Sequence, residues 1–372
     1  MNVSPNYFKL QPLSLYVNPI WRRKDLLHSP LMYPFWGNPP EQGNTLLRGM
    51  LFNKRGFDTT QYQVTDKGDE ADMVYMPYSH STARRRYPEL LEQCSSTAQR
   101  LGLALLVDGI EDIQHPINTP NTYVIRYGGY HFEHNEKEIV IPPFSNDLLE
   151  IHCNGELQVR IKREKPVVGF TGWGNLTRYQ TLRTVVKELP DRLRGVFDDR
   201  FRTKKKGVFF RIEAMRILQK SPSITANFIV RDSYSGHAHT ASKSVEALQR
   251  EFVDNLLESD YALDVRGDAN ASTRLFEILS LGRIPVIIDT ERNFPFSEKL
   301  DYSSFALIID FRDIKKLPER IAEFHKNISP EQFEQMQKNA RDAYIHFFRI
   351  DALMGPIVEE LRARLLSFKS SR

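Results

Sequence analysis

Hydrophobic positions in the second half of the chain fall into short blocks separated by polar loops and helical stripes. The clearest block is YALDVRGDANASTRLFEILSLGRIPVIID, residues 261–289. It predicts a strand over 261–265, a polar loop, a helix over 273–281 ended by Gly282, and a strand over 284–288. The last strand is apolar on both faces, the pattern of a strand buried inside a parallel sheet. Further strands are predicted at 167–170, 226–231 and 305–309. Val245, Leu248, Phe252 and Leu256 recur at helical spacing. Thr177-x-x-Gln180 and Ser329-Pro330-Glu331-Gln332 are helix-starting patterns in which a hydroxyl and a glutamine cap each other's backbone. Helices are expected from each of these starts and again over 352–368.

The first half is less regular. Strands are expected at 13–17, 61–64, 72–76 (closed by Pro77), 103–107, 122–126 and 138–141, with Pro142-Pro143 as a stop. A short helix is expected over 46–52, and a long one over 82–101 that Pro88 starts or kinks. Strands alternating with helices imply α/β layers. With 372 residues, two domains follow. We expect a first over 1–160, a second over 161–348, and a terminal helix over 349–372.

Composition narrows the function classes. Net charge is only +4, which argues against nucleic acid as a partner but suits an anionic substrate. Cys94 and Cys153 lack metal-ligand spacing and are expected as buried thiols. The N-terminal residues have no charged start followed by an apolar core, and no run spans a bilayer, so the expectation is a cytoplasmic protein. Peripheral membrane contact through Trp21-Arg22-Arg23-Lys24 or Arg84-Arg85-Arg86 stays open.

Candidate chemistry gathers where strands end. Loop 266–272 precedes a helix N-terminus, a place that favours anions. There Gly267 permits a tight turn, and Asn270, Ser272 and Thr273 are available as caps. Arg274 sits in the first helical turn, where the helix dipole disfavours a cation unless an anion binds beside it. Glu277, one turn on, could take ribose hydroxyls or simply pair with Arg274. Gly172-Trp173-Gly174 occupies a similar strand-to-helix position, although neither P-loop nor GxGxxG spacing is present. Asp108, Glu111, Asp112 and His115 follow one strand, and His131, Glu133 and His134 form another polar cluster. Of these, Glu111, Asp112 and His131 are the candidate bases. His237 and His239 are read as surface or structural, since HxH alone does not make a metal site. No GxSxG elbow or HExxH occurs.

Ser259, Arg266-Gly267-Asp268, Ser272, Arg274, Glu277, Gly282 and Ile284-Pro285-Val286 together resemble the C-terminal signature of the exostosin-like glycosyltransferases (GT47). The segments KPVVGFTGWGNLTRYQTLR (165–183) and EIVIPPF (138–144) resemble two more of that family's motifs, so the likeness runs over about residues 70–310. It implies a GT-B fold, two Rossmann-like doubly wound domains facing a cleft. It further implies inverting transfer from a nucleotide-diphosphate sugar to a glycan acceptor, without a cofactor or essential metal. Carried over by position, Arg266 and Arg274 would meet the diphosphate and Glu277 the ribose or sugar. Gly172, Gly267, Asp268 and Ser272 would line the same pocket. The chain departs from the pattern at Arg283, where a cysteine often follows the glycine, and Tyr130-His131-Phe132 only echoes an acceptor-side motif. The competing expectation is a non-catalytic nucleotide- or glycan-binding protein on a degenerate GT-B scaffold. An oxidoreductase is disfavoured by the missing GxGxxG.

Overall fold

A computed structural model describes residues 11–37, 55–110, 116–232 and 244–370. The helix expected over 46–52, and Glu111, Asp112, His115, His237 and His239, lie outside the described residues.

The chain divides into two compact units. The first takes the described residues of Met1–Arg126, Asn135–Ile141 and Ile350–Arg372. Its strands are β1 (Leu13–Tyr16), β2 (Tyr62–Thr65), β3 (Met73–Ser79), β4 (Ala104–Asp108), β5 (Thr122–Tyr127) and β6 (Glu138–Ile141). They form one sheet in the order β2-β1-β3-β4-β5-β6. β1 runs parallel to β2 and β3, β3 to β4, and β4 to β5. Contrary to the expectation from sequence, Pro77 does not close β3; the strand continues to Ser79 with a register shift after Met76. A bulge tolerates a residue that cannot donate to the ladder. The long helical stretch is two helices, α1 (His80–Arg86) and α2 (Pro88–Leu101), broken at Tyr87. Pro88 opens α2, where its missing N–H costs nothing. Cys94 is buried on α2.

The second unit takes the described residues of Tyr127–His134 and Pro142–Arg349, so the boundary expected near residue 160 lies inside it. Residues ahead of 161 pack with it because α3 (Leu148–His152) buries Leu148, Leu149 and neighbouring Cys153 against Val253, Leu256 and Ile278. The strands β7 (Val167–Trp173), β8 (Thr225–Arg231), β9 (Tyr261–Val265), β10 (Ile284–Asp289) and β11 (Leu307–Asp310) are ordered β11-β10-β9-β7-β8, and every pair is parallel. The helices are α4 (Arg178–Lys187), α5 (Leu189–Arg194), α6 (Asp199–Arg202), α7 (Gly207–Lys220), α8 (Val245–Glu258), α9 (Thr273–Ser280), α10 (Leu317–Asn327) and α11 (Pro330–Ala343). The last helix, α12 (Met354–Ser370), belongs to the first unit. Both predicted capping boxes form, at Thr177 and Ser329. β9 and β10 carry the core, with Tyr261, Leu263, Val265, Ile284, Val286 and Ile288 all buried. The chain thus contains two parallel-type α/β layers, the component parts of the GT-B class.

Candidate functional site

Strand order in the second unit creates a particular place. β7 is flanked by β8 on one side and β9 on the other, so the chain reverses its direction of winding between β7 and β9. In open α/β sheets, ligands bind beyond the strand ends at that switch. β7 and β9 pair only at Val168–Gly169 with Tyr261–Ala262. Past that point the carbonyls of one strand no longer serve the other, and backbone acceptors need other partners.

Guanidinium groups supply them. Arg274 Nη2 donates to Thr171 O at 2.8 Å, and its charge lies 4.2 Å from the centre of the Phe170 ring. Arg211, on α7, spans the gap: it donates to Trp173 O at 3.3 Å, to Val265 O at 3.2 Å and to Arg266 O at 3.0 Å. Burial, and then the neighbouring charge of Arg274, push the Arg211 pKa down to about 10. At neutral pH Arg211 therefore remains a cation, close beside Arg274 at the strand ends.

Gly172 and Arg274 meet. β7 runs on through Trp173, so Gly172 lies near the strand's end and not in a following loop. Its φ is +148°, and a Cβ there would sit 2.5 Å from Arg274 Nη2. Glycine is needed for both reasons. Gly207 is constrained in a similar way. A Cβ there would fall 2.2 Å from Gly267 O and 2.3 Å from Arg266 O, so only glycine lets α7 approach the 266–267 loop.

Arg266 differs from the sequence-based expectation. It is buried, and its guanidinium is bonded to the carbonyls of Gly267 (3.2 Å), Asp268 (3.1 Å), Lys205 (2.5 Å) and Thr203. It braces the 203–206 loop from within, and burial lowers its pKa. Asp268 is exposed and pairs with Lys206 at 3.6 Å. The expected caps are also redirected. Ser272 stands at the N-cap of α9 but makes no side-chain cap. Its hydroxyl donates to Asp264 at 2.5 Å, and Asp264 is also paired with Arg292 at 2.8 Å. Asn270 bonds Gly129 O, Thr290 O and Glu291 O. The first turn of α9 therefore lacks a side-chain cap, next to two guanidiniums. Glu277 is partly buried on the same helix. Burial raises its pKa, Arg274 opposes that rise and Asp264 adds to it.

His131 is exposed, in the Tyr127–His134 segment that packs with the second unit; its backbone N–H donates to Glu291 O at 2.8 Å. A cavity of about 350 Å³ lies in the same unit, lined by residues including Glu188, Arg192, Lys205, Phe210, Phe311 and Arg312. Three of its cations are partnered by acids, Arg192 by Glu188 (2.9 Å), Lys205 by Glu213 (3.5 Å) and Arg312 by Asp310 (2.7 Å), while Lys315 makes no ion pair with a described residue. Those pairs reduce the positive charge of the cavity wall, whereas at the switch point a helix N-terminus adds to the positive field of the guanidiniums. Among the described residues no group of three or more His, Cys, Asp or Glu is placed to hold a metal ion.

Sequence reasoning missed Arg211 and the helix that carries it. The signal was present in the spacing of Phe210, Ala214 and Leu218, together with a glycine at the helix start.

Residues 190–324 match the Exostosin GT47 domain. The matched segment takes in Arg211, Arg266, Ser272, Arg274 and Glu277; the motif-like stretches at 138–144 and 165–183, with Gly172, lie outside it. The Exostosin-1 homolog of Caenorhabditis elegans is 30% identical over 99 residues, which is 27% of this chain and 25% of that protein. A probable glycosyltransferase of Arabidopsis thaliana is 30% identical over 96 residues, 26% of this chain and 18% of that one. The chain thus spans a quarter or less of the length of these curated relatives. Among solved structures, a glycosyltransferase from Rickettsia africae is 10% identical, with 97% of this chain and 98% of that one covered at a TM-score of 0.36. Anabaena Alr3699/HepE in complex with UDP-glucose is 9% identical, with 95% and 100% covered at 0.35. The fold assignment stands on the strand order above.

Proposed function

We propose that this chain is an inverting glycosyltransferase that moves a sugar from a nucleotide-diphosphate donor to a hydroxyl of a glycan acceptor, with no essential metal. The observation that supports the reading most is the pair Arg211 and Arg274 at the β7–β9 switch of an exostosin-type unit, beside an uncapped helix N-terminus. In such a reaction the acceptor oxygen attacks the anomeric carbon from the face opposite the leaving group. A base takes the acceptor proton, and the C–O bond to the diphosphate breaks with both electrons going to oxygen. The departing diphosphate gains negative charge, which fixed guanidiniums and helix N–H groups stabilise without reorganising. Arg274 and Arg211 take the diphosphate in this scheme. Glu277 accepts from a ribose or sugar hydroxyl, and Gly172 gives the diphosphate close access to the backbone. Gly267, Asp268 and Ser272 shape the rim, and buried Arg266 acts by holding the 203–206 loop. The proton acceptor is sought among Glu111, Asp112 and His131.

The test is turnover of nucleotide-diphosphate sugars by the wild type and by Arg274→Ala. We expect nucleoside diphosphate release in the presence of acceptor, and a fall of at least about a hundredfold in the variant, the scale for losing one transition-state charge contact. Tight nucleotide binding with no turnover under any acceptor would instead support a binding protein on the same scaffold.

A further inference from the structure

One surface of the second unit has no place in the proposed reaction. Between Tyr179 and Phe197 lie seven of the fifteen large hydrophobic side chains exposed among the described residues. Phe197 is 93% exposed, Val196 74% and Tyr179 73%. Neither α4 nor α5 buries a single residue. Helices of this length depend on packing an apolar face, and here that face (Tyr179, Leu182 and Val186 on α4, Leu189 and Leu193 on α5) points to solvent. Contiguous exposed apolar surface marks an interaction site.

Charge says what the surface meets. Residues 178–202, which span α4–α6, carry seven Lys and Arg against four Asp and Glu, a net +3 of the chain's +4. On α4, Arg178 and Arg183 border the apolar stripe and Lys187 follows one turn later. All three are exposed and make no ion pair with a described residue. Apolar side chains flanked by cations on a surface helix are the composition of a helix lying in an anionic lipid interface, with long basic side chains reaching back to the headgroups. No helix among the described residues is long and apolar enough to cross a membrane.

We propose that the α4–α6 surface docks on an anionic lipid bilayer. The two basic runs singled out from sequence fit this role less well. Trp21 is buried edge-on against Tyr16, 5.8 Å between ring centres, so it has no free ring to insert. Arg84, Arg85 and Arg86 are exposed, but the apolar residue beside them, Ala83, is buried.

The full chain should co-sediment with vesicles of phosphatidylglycerol and phosphatidylcholine, and not with phosphatidylcholine alone. Binding should fall as salt is raised. The triple change Arg178→Gln, Arg183→Gln, Lys187→Gln should weaken binding about a hundredfold, each cation near an anionic surface contributing roughly fivefold. Leu193→Asp with Phe197→Asp should abolish it, with the thermal melt unchanged. Arg84→Gln, Arg85→Gln, Arg86→Gln should leave it intact. Wild-type protein that ignores anionic vesicles would overturn the proposal. So would loss of binding only in the Arg84–Arg86 variant, or a dimer that the Leu193 and Phe197 changes dissociate in the absence of lipid.

Discussion

The two units share an architecture and differ at the carboxyl ends of their strands. In the first, β4 ends at Asp108, which accepts from Ile110 N–H at 2.8 Å and from the Ser29 hydroxyl. Ser29 in turn receives the Tyr75 hydroxyl at 2.5 Å. The result is a closed, buried, acidic knot. In the second, β7 and β9 end among the cations Arg211 and Arg274, tied to backbone carbonyls and facing an uncapped helix. The same layer type therefore provides one end closed around a buried acid and another where cations gather beside a helix start. The fold supplies the position; the side chains at the strand ends decide the chemistry.

Substitutions at each strand end separate the two roles. The largest effect is expected at Gly207→Ala, because the new methyl meets backbone oxygens that cannot swing aside. We expect roughly 3 kcal/mol of destabilisation and a melting temperature lower by about 6–12 °C, read by calorimetry. Next comes Gly172→Ala. Its methyl strikes the Arg274 guanidinium, a movable group, at a φ that alanine rarely adopts. Nucleoside diphosphate affinity should drop about ten- to a hundredfold, with a smaller loss of stability of around 1–2 kcal/mol. If stability fell and affinity did not, Arg274 would have no part in the site.

Asp108→Asn is the contrasting case. Weakening the knot in the first unit should cost about 1–2 kcal/mol, while nucleoside diphosphate affinity stays within about twofold by titration. A large loss of affinity would mean that the two strand ends are not chemically separate.

Glu277→Gln carries the smallest effect on stability, and its sign is informative. Burial raises the folded-state pKa of Glu277, so the folded protein binds the proton more readily than the unfolded chain. The ionised carboxylate therefore costs stability at neutral pH. That cost disappears as pH falls through the raised pKa and on below the ordinary carboxylate range. The amide should raise the melting temperature by about 1–3 °C at pH 7, with the advantage shrinking as pH is lowered. It should also weaken donor binding. A variant that is less stable at pH 7 would show that Glu277 is a structural partner and not a held-back ligand group.

Much of this arrangement was legible locally. β9, β10 and the two capping boxes could be read from sequence because their signals lie within a few residues: alternation, a terminal glycine, a hydroxyl three residues ahead of a glutamine. The site was legible only in part, for physical reasons. Arg266 and Arg274 look alike in sequence, each near a strand end and a helix start. The distinction depends on the 203–206 loop, whose carbonyls surround Arg266 and leave Arg274 to the β7 edge. The role of Arg211 depends on β7 and β9 parting after two residue pairs, a matter of register that no local pattern encodes. Ser272 sits where a cap belongs, yet a buried acid eight residues earlier, Asp264, takes its hydroxyl.

In the proposed reaction the β7–β9 switch binds a diphosphate through Arg274. Isothermal titration of a nucleoside and its diphosphate against wild type and Arg274→Ala tests it most directly. We expect the diphosphate to bind wild type at least about thirtyfold more tightly than the nucleoside, an increment of about 2 kcal/mol, and the variant to lose most of this increment while still binding the nucleoside. An increment that survives intact in Arg274→Ala would contradict it.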